Sequence, residues 1–438
     1  MANNKVVNKN IENVYPLTPL QEGMLFHNLM DDASAAYVLQ TSYEFKKRCD
    51  EEALVNALNL LSQRYAVLRT SIIHEKLDKP RQVVLKNRAP EFVSYDFSNE
   101  TNSRADEQYN NILAEDVKRG FDLKKDTLIR AIHIKMPDVS KLIITIHHIV
   151  IDGWCLEIVF SKFLSYYMRL TEGGALNALT EEVRNEKAHS SEYSEYISWI
   201  AKQDAERAKE YWKDVLDGYD SNCEISPMQK PEFTDEQVKV NKIFVSEECT
   251  KKLRQVAENC NCTMNTISET VCGILLQMYS GTDDVVFGKV VSGRNANISG
   301  IEEMVGLFIN TIPVRVQVSD NMTASELFKE QQKQGNEGTN YDYCSLAELQ
   351  KQTVQGADLI KVIYVYENYS SGNDSDLDNI MDNDIKADKA REQTNYAISF
   401  VGYEMDGKLG FNVMYNPNEF VETEINLILS RLVKICEV

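Results

Sequence analysis

Hydrophobic residues recur at helical spacing over residues 51 to 65, where Leu54, Leu58, Leu61 and Tyr65 stand at i, i+4, i+7 and i+11 and share one face. Val67 to Ile73 reads as a strand leaving that helix. Lys141 to His148 is β-branched and apolar on both faces, as expected of a strand buried inside a sheet. After Gly153 the helical spacing returns in Leu156, Val159, Phe160, Phe163, Tyr167 and Leu170, and Thr171-Glu172-Gly173-Gly174 stops it. Strand, short loop and helix are therefore predicted in that order around residues 147 to 154. Between 175 and 193 polar, Glu- and Ser-rich residues break the pattern, which predicts a domain boundary near residue 180.

Beyond it the periodicity predicts a helix over about 263 to 279 and strands over Asp284 to Val291, Phe308 to Val316 and Leu359 to Tyr366. Tyr396 to Tyr403 and Leu409 to Tyr415 flank Met405-Asp406-Gly407-Lys408, a hairpin signal, and a helix follows from about Glu422. This alternation argues for an α/β or α+β fold with sheets covered by helices. Residues 370 to 392 interrupt it with Asp374, Asp376, Asp378, Asp382, Asp384 and Asp388. A calcium loop would need Gly where Asn379 stands and Glu where Ile385 stands, so a mobile solvated loop is expected. No repeat of 20 to 50 residues recurs.

A chain of 438 residues exceeds one ordinary core and predicts two lobes. The formal charge of -20 and the lack of clustered Lys and Arg argue against a nucleic-acid partner. No stretch approaches the roughly 20 apolar residues of a membrane span, and the first residues lack a signal peptide's apolar run, which predicts a cytoplasmic protein that does not contact a membrane. Nine cysteines are scattered; the Cys260 and Cys262 pair has no second pair or His beside it, so no metal is expected and the thiols, Cys155 and Cys272 among them, read as small hydrophobes.

Chemistry concentrates in His147-His148-Ile149-Val150-Ile151-Asp152-Gly153. Adjacent residues at a strand end point to opposite sides, so one imidazole faces the core and the other is available to a channel. Imidazole exchanges protons near neutral pH, and a strand-end loop is a usual place for catalysis on a rigid scaffold. Asp152 is close enough to orient the turn or to pair with a distant cation. Two histidines after an apolar strand are also a common structural arrangement.

The spacing His-His-x-x-x-Asp-Gly, with a strand before it and a helix opening at Trp154, resembles the signature of the condensation-domain superfamily of nonribosomal peptide synthetases, related to chloramphenicol acetyltransferase. Other stretches look like that family's motifs in the same order. They are Tyr15 to His27, Arg64 to Thr70, Tyr193-Ser194-Glu195-Tyr196 through Trp199 (with Glu195 where the family usually has Asp), Val291 to Arg294, Val305 to Thr311, and Tyr341-Asp342-Tyr343.

The resemblance implies two chloramphenicol-acetyltransferase-like subdomains, residues 1–180 with the His-His motif and 181–438 with crossover and latch segments, in a V-shaped pseudo-dimer with a tunnel between them. It implies amide-bond formation between a donor acyl or peptidyl thioester and an acceptor aminoacyl thioester. Both ride on the 4'-phosphopantetheine arms of peptidyl carrier domains beside an adenylation domain, and the protein holds no cofactor of its own. By the same match His148 is catalytic, and Gly153 lets an arm approach and turns its N–H toward the oxyanion. His147 and Asp152 support the site, with Arg294 as the ion-pair partner of Asp152. Gln21, Arg69, Tyr196, Asn310 and Tyr343 are candidates for the tunnel wall, although the Gln21 segment also reads as a turn packing into a helix, and Asn310 and Tyr343 as groups that satisfy buried backbone. Gln21 to His27 resembles the version that takes a D-configured donor.

A cyclization domain replaces both histidines and is excluded. An epimerization domain opens differently, a stand-alone acetyltransferase of the superfamily is a shorter chain that assembles as a trimer, and an inactive carrier-recruiting platform would keep the motifs without turnover. No adenylation signature and no carrier Gly-Gly-x-Ser appears, so the chain is expected to be an excised piece of a synthetase or a free-standing domain, and a monomer.

Overall fold

The structure, a computed structural model, describes residues 10–30, 37–234, 238–367, 384–391 and 396–438. Along the chain run β1 (Ile11–Pro16), α1 (Pro19–Met30), β2 (Val38–Phe45), α2 (Glu51–Arg64), β3 (Thr70–Ile73), β4 (Arg81–Leu85), β5 (Glu91–Asp96), α3 (Asn102–Arg119), β6 (Ile129–Lys135), β7 (Ser140–His147), α4 (Gly153–Thr171), α5 (Leu176–His189) and α6 (Tyr193–Ile200). Then follow α7 (Ala205–Val215), β8 (Lys239–Phe244), α8 (Glu247–Cys260), α9 (Met264–Ser280), β9 (Asp284–Val291), β10 (Asn310–Gln317), α10 (Ala324–Gly338), α11 (Leu346–Gln350), β11 (Val362–Glu367), β12 (Ile385–Arg391), β13 (Ile398–Met405), β14 (Lys408–Tyr415) and α12 (Glu422–Glu437).

The chain divides into two compact units. The first holds Met1–Lys202, Ala296–Phe308 and Asp374–Gln393; the second holds Gln203–Asn295, Ile309–Asn373 and Thr394–Val438. The first passage between them falls after Lys202, not near 180, because the stretch read as a linker contains α5. Only Leu179 and Val183 of that helix are buried, one helical turn apart, so its apolar stripe is too thin to register as periodicity, yet it packs on α2.

In the first unit the five-stranded sheet has the order β12-β2-β7-β6-β5, and a three-stranded sheet has the order β1-β4-β3. Every residue of β7 is buried, and β2 and β6 pair with its backbone along both edges. α2 begins where Asp50 caps it, its carboxylate accepting from Ala53 N at 3.1 Å, and it buries Leu54, Ala57, Leu58 and Leu61. Ala66–Arg69 form a 3-10 turn, so the run from Val67 becomes strand only at Thr70.

Part of the Asp-rich stretch read as a loop is strand. Ile385–Arg391 lies antiparallel to β2, and Asp388 accepts from Tyr109 Oη (2.6 Å) and pairs with Lys141 (3.0 Å). Asp374, Asp376, Asp378 and Asp382 lie outside the described residues. β12 carries no apolar alternation, and its middle five residues are exposed, so backbone pairing and these polar contacts make it a strand.

In the second unit the six-stranded order is β10-β9-β11-β13-β14-β8. α8, α9 and α12 cover it over a core that includes Ile267, Leu275, Phe287, Tyr364, Phe400, Phe411, Ile428 and Leu432. The β13–β14 hairpin turns at Asp406 and Gly407, both at positive φ (50° and 75°), the mirror-image turn that matches strand twist. β10 begins two residues later than its apolar run, because Phe308 belongs to the first unit.

Candidate active site

β7 delivers His147 and His148 to the start of a 3-10 turn, His148–Val150, that leads into α4. His147 N donates to Leu128 O (3.0 Å) and His148 N to Tyr37 O (2.7 Å), so the main chain is held on both sides of the pair. The His147 ring accepts Ile149 N at Nδ1 (3.0 Å) and meets Phe121 edge to face, centroids 5.9 Å apart. Because Nδ1 accepts, the ring proton resides on Nε2, which has no hydrogen-bond partner among the described residues. Burial, reinforced by the charges of His148 and Arg130, drives the His147 imidazolium pKa down to about 3. Protonation would also break the Ile149 bond. His147 is thereby removed from proton exchange near neutrality.

One consequence concerns stability. The unfolded chain protonates His147 near 6.5 and the native chain only near 3, so between these values the unfolded state holds more protons. The stability this group supplies is full above pH 6.5 and is lost as pH falls through the window, at up to about 1.4 kcal/mol per pH unit. Urea midpoints of wild type and His147→Asn, taken from pH 7.5 to 4, are expected to converge on acidification; parallel profiles would refute the assignment.

Asp152 is fully buried and acts twice. Its Oδ1 accepts Cys155 N (3.2 Å), capping α4, and its Oδ2 accepts Phe308 N (2.9 Å), while its own N–H reaches Gly306 O (3.3 Å). Trp154 Nε1 adds a bond to Glu302 O (3.0 Å). The 302–308 segment is thus clipped along the start of α4. Tyr193 Oη donates to Leu307 O (2.6 Å) and Tyr196 Oη to Phe308 O (3.2 Å), with the Tyr196 ring 4.6 Å from that of Phe308. A Cβ on Gly306 would stand 2.2 Å from the Tyr193 ring, which is why this motif position is glycine. Gly153 opens α4, so its N–H is one of the four that a helix cannot satisfy internally.

Gln21 is fully buried on α1, and its Nε2 donates to Ile149 O (2.7 Å) and to Gln82 Oε1 (3.0 Å), bracing the turn that carries His148. Arg69 is spent on structure: it donates to Leu85 O (2.8 Å), to the Ser62 and Gln63 carbonyls at the end of α2, and to Glu12 (2.9 Å). The first unit therefore gathers Gln21, Arg69, His147, His148, Asp152, Gly153 and Tyr196.

Arg294, Asn310 and Tyr343 belong to the second unit. Asn310 Nδ2 donates to the Asp342 and Cys344 carbonyls, each at 2.7 Å, the backbone-satisfying alternative. Asn295 Nδ2 reaches Asp342 Oδ2 (2.8 Å), and burial pushes that carboxyl up to about 6 against this bond. Tyr343 Oη donates to Asp204 O (3.1 Å), and Arg294 N to Ser292 Oγ (3.4 Å) after Gly293 at φ 65°.

Sequence reasoning missed Asp116 and Arg130, a buried ion pair behind His147 (2.6 Å). The available signal was one Arg inside the apolar run of β6. Among the described residues no three His, Cys, Asp or Glu side chains come together as a metal site, and no helix is long and apolar enough to cross a membrane.

A condensation-domain family model matches residues 11–437. The chain belongs to the condensation-domain family. Bacitracin synthase 1 of Bacillus licheniformis is 35% identical over 433 residues, which cover 98% of this chain and 8% of that protein. Tyrocidine synthase 3 of Brevibacillus parabrevis is 36% identical over 421 residues, 94% of this chain and 6% of that one. The condensation domain spans only a small fraction of these relatives. Among solved structures, the X-domain from teicoplanin biosynthesis aligns with a TM-score of 0.77 at 17% identity, covering 96% of this chain and 94% of that one. The first condensation domain of the calcium-dependent antibiotic synthetase, bound to a substrate analogue, aligns with a TM-score of 0.71 at 16% identity, covering 97% and 96%. These two likenesses carry the fold.

Proposed function

We propose that this condensation domain joins a donor acyl or peptidyl thioester to the amine of an acceptor aminoacyl thioester, both presented on carrier phosphopantetheine arms, with His148 as the catalytic residue. The observation that carries the reading is the divided histidine pair. His147 is locked neutral into the turn, and His148 stands beside it on a main chain held by Tyr37, Gln21 and the Asp152 clip.

The acceptor nitrogen attacks the thioester carbonyl carbon, its proton passes to the His148 imidazole, and the C–S bond breaks as the donor thiol leaves with that proton. An α-amine has a pKa of about 8, so a useful fraction is neutral without a strong base, and the main contribution of His148 is to aim it. Holding both tethered thioesters in register supplies the larger share of the rate. The Gly153 N–H, at the positive end of α4, faces the developing oxyanion.

The test is reconstitution of the domain with separately loaded donor and acceptor carriers, read by intact mass. The dipeptidyl group is expected on the acceptor carrier, faster from a donor ending in a D-residue than from its L-counterpart. Faster transfer from the L-donor removes the D-donor subtype. No transfer from either donor removes the catalytic reading and leaves a recruiting platform.

A further inference from the structure

Behind the histidine turn lies a polar cluster that the proposed chemistry does not use. In β2, β7 and β6 the residues Gln40, Thr145 and Arg130 stand opposite one another in register. Asp116, near the end of α3, reaches all three. Its Oδ1 accepts Arg130 Nε (2.6 Å), and its Oδ2 accepts Thr145 Oγ1 (2.6 Å) and Gln40 Nε2 (2.7 Å). The remaining guanidinium nitrogens donate to Asp116 O and Gly120 O, each at 2.6 Å. The Asp116 and Arg130 side chains are only 3% and 2% exposed.

An ion pair this deep is a poor source of stability, because desolvation offsets the attraction and apolar residues of similar shape often serve as well. Its placement suggests another use. Thr145 is two residues before His147 on β7, so both side chains leave the same face of the sheet. The Arg130 guanidinium lies 4.1 Å from the centroid of the Phe121 ring, and that ring meets the His147 imidazole. Asp116 therefore fixes Arg130, Arg130 fixes Phe121, and Phe121 fixes His147, whose Nδ1 receives the Ile149 N–H of the turn on which His148 stands.

We propose that Asp116 and Arg130 are positioning residues for the reaction at His148, holding the His147 ring through Phe121 in the one orientation that accepts the Ile149 N–H. This rests on the proposed function for its kinetic consequence, but not for its structural one. The positive guanidinium also opposes a proton on His147, in the same direction as burial.

The test replaces the pair together, Asp116→Leu with Arg130→Met, so that no unpaired charge is left buried. A separate Phe121→Leu variant keeps the ion pair and breaks the relay. Two properties are read: kcat and KM with loaded carriers, and the His147 tautomer by nitrogen NMR of histidine-labelled protein. In wild type the Nε2–H tautomer alone is expected. In the double variant both tautomers appear and kcat falls roughly 10- to 100-fold with carrier KM unchanged, as for a misplacement of the order of 1 Å; Phe121→Leu moves the same way by less. A folded double variant with wild-type kcat and a single Nε2–H tautomer overturns the proposal. If the double variant does not fold, Phe121→Leu decides alone, a wild-type kcat and tautomer overturning it. If wild type itself transfers nothing, the functional reading fails, and the tautomer still decides this one.

Discussion

His148→Ala is expected to slow peptide transfer between loaded carriers by about 10²-fold or more, because the aiming of the amine and the uptake of its proton are lost together. The variant should stay folded, because what sets the turn at residue 148 is its main-chain bond to Tyr37 O and the Gln21 and His147 bonds to residue 149, none of which uses the His148 ring. The loss should therefore appear in kcat with little change in the urea midpoint. His148→Gln divides the role further. An amide can aim an amine but does not take up its proton at neutral pH, so a glutamine variant near wild-type rate leaves aiming as the whole contribution. Unchanged transfer by the alanine variant removes His148 from the chemistry.

Asp152→Ala should be the most damaging change at this site for stability, by about 2–4 kcal/mol. That sum combines a lost helix cap, about 1 kcal/mol, with the cost of leaving the buried Phe308 N–H without its acceptor, about 1–3 kcal/mol. Asp152→Asn should recover part of it, since one carbonyl oxygen can serve Cys155 N or Phe308 N but the amide nitrogen cannot serve the other. Urea midpoints are expected in the order wild type, Asn, Ala. The activity of both variants should fall as well, because the 302–308 segment and the start of α4 are held together by this carboxylate. An alanine variant as stable as wild type would show that Tyr193 and Tyr196 hold the segment without the clip.

Both substitutions fall on residues whose importance is legible in the chain, but the reasons for their importance differ in kind. Spacing alone separates His147 from His148 by strand geometry. It leaves Asp152 open between orienting the turn and pairing with a remote cation; among the described contacts the carboxylate caps α4 and holds Phe308, a residue 156 positions away. The likeness at Arg69 brought that residue into the site, whereas its guanidinium is consumed by the end of α2 and by β4. A motif match reports that a residue type is required, and a buried arginine satisfying carbonyls is as demanding a requirement as one facing substrate.

What the sequence by itself determined is whatever repeats locally. α2, α4, α9, β7, β9 and the β13–β14 hairpin can be read because each buries a face, and burial imprints a period of 3.6 or 2 on the residues. The address of the chemistry could be read for a similar reason, since a strand end, a turn and a helix start lie within seven consecutive residues. Only the tertiary structure decided α5 and β12, whose residues are mostly exposed and carry no period, so that packing on α2 and pairing with β2 define them. It alone also joined Asp116 to Arg130 and Thr145. A hydrogen bond is set by distance in space, and nothing in the order of residues along a chain records which helix end will come to rest beneath which strand.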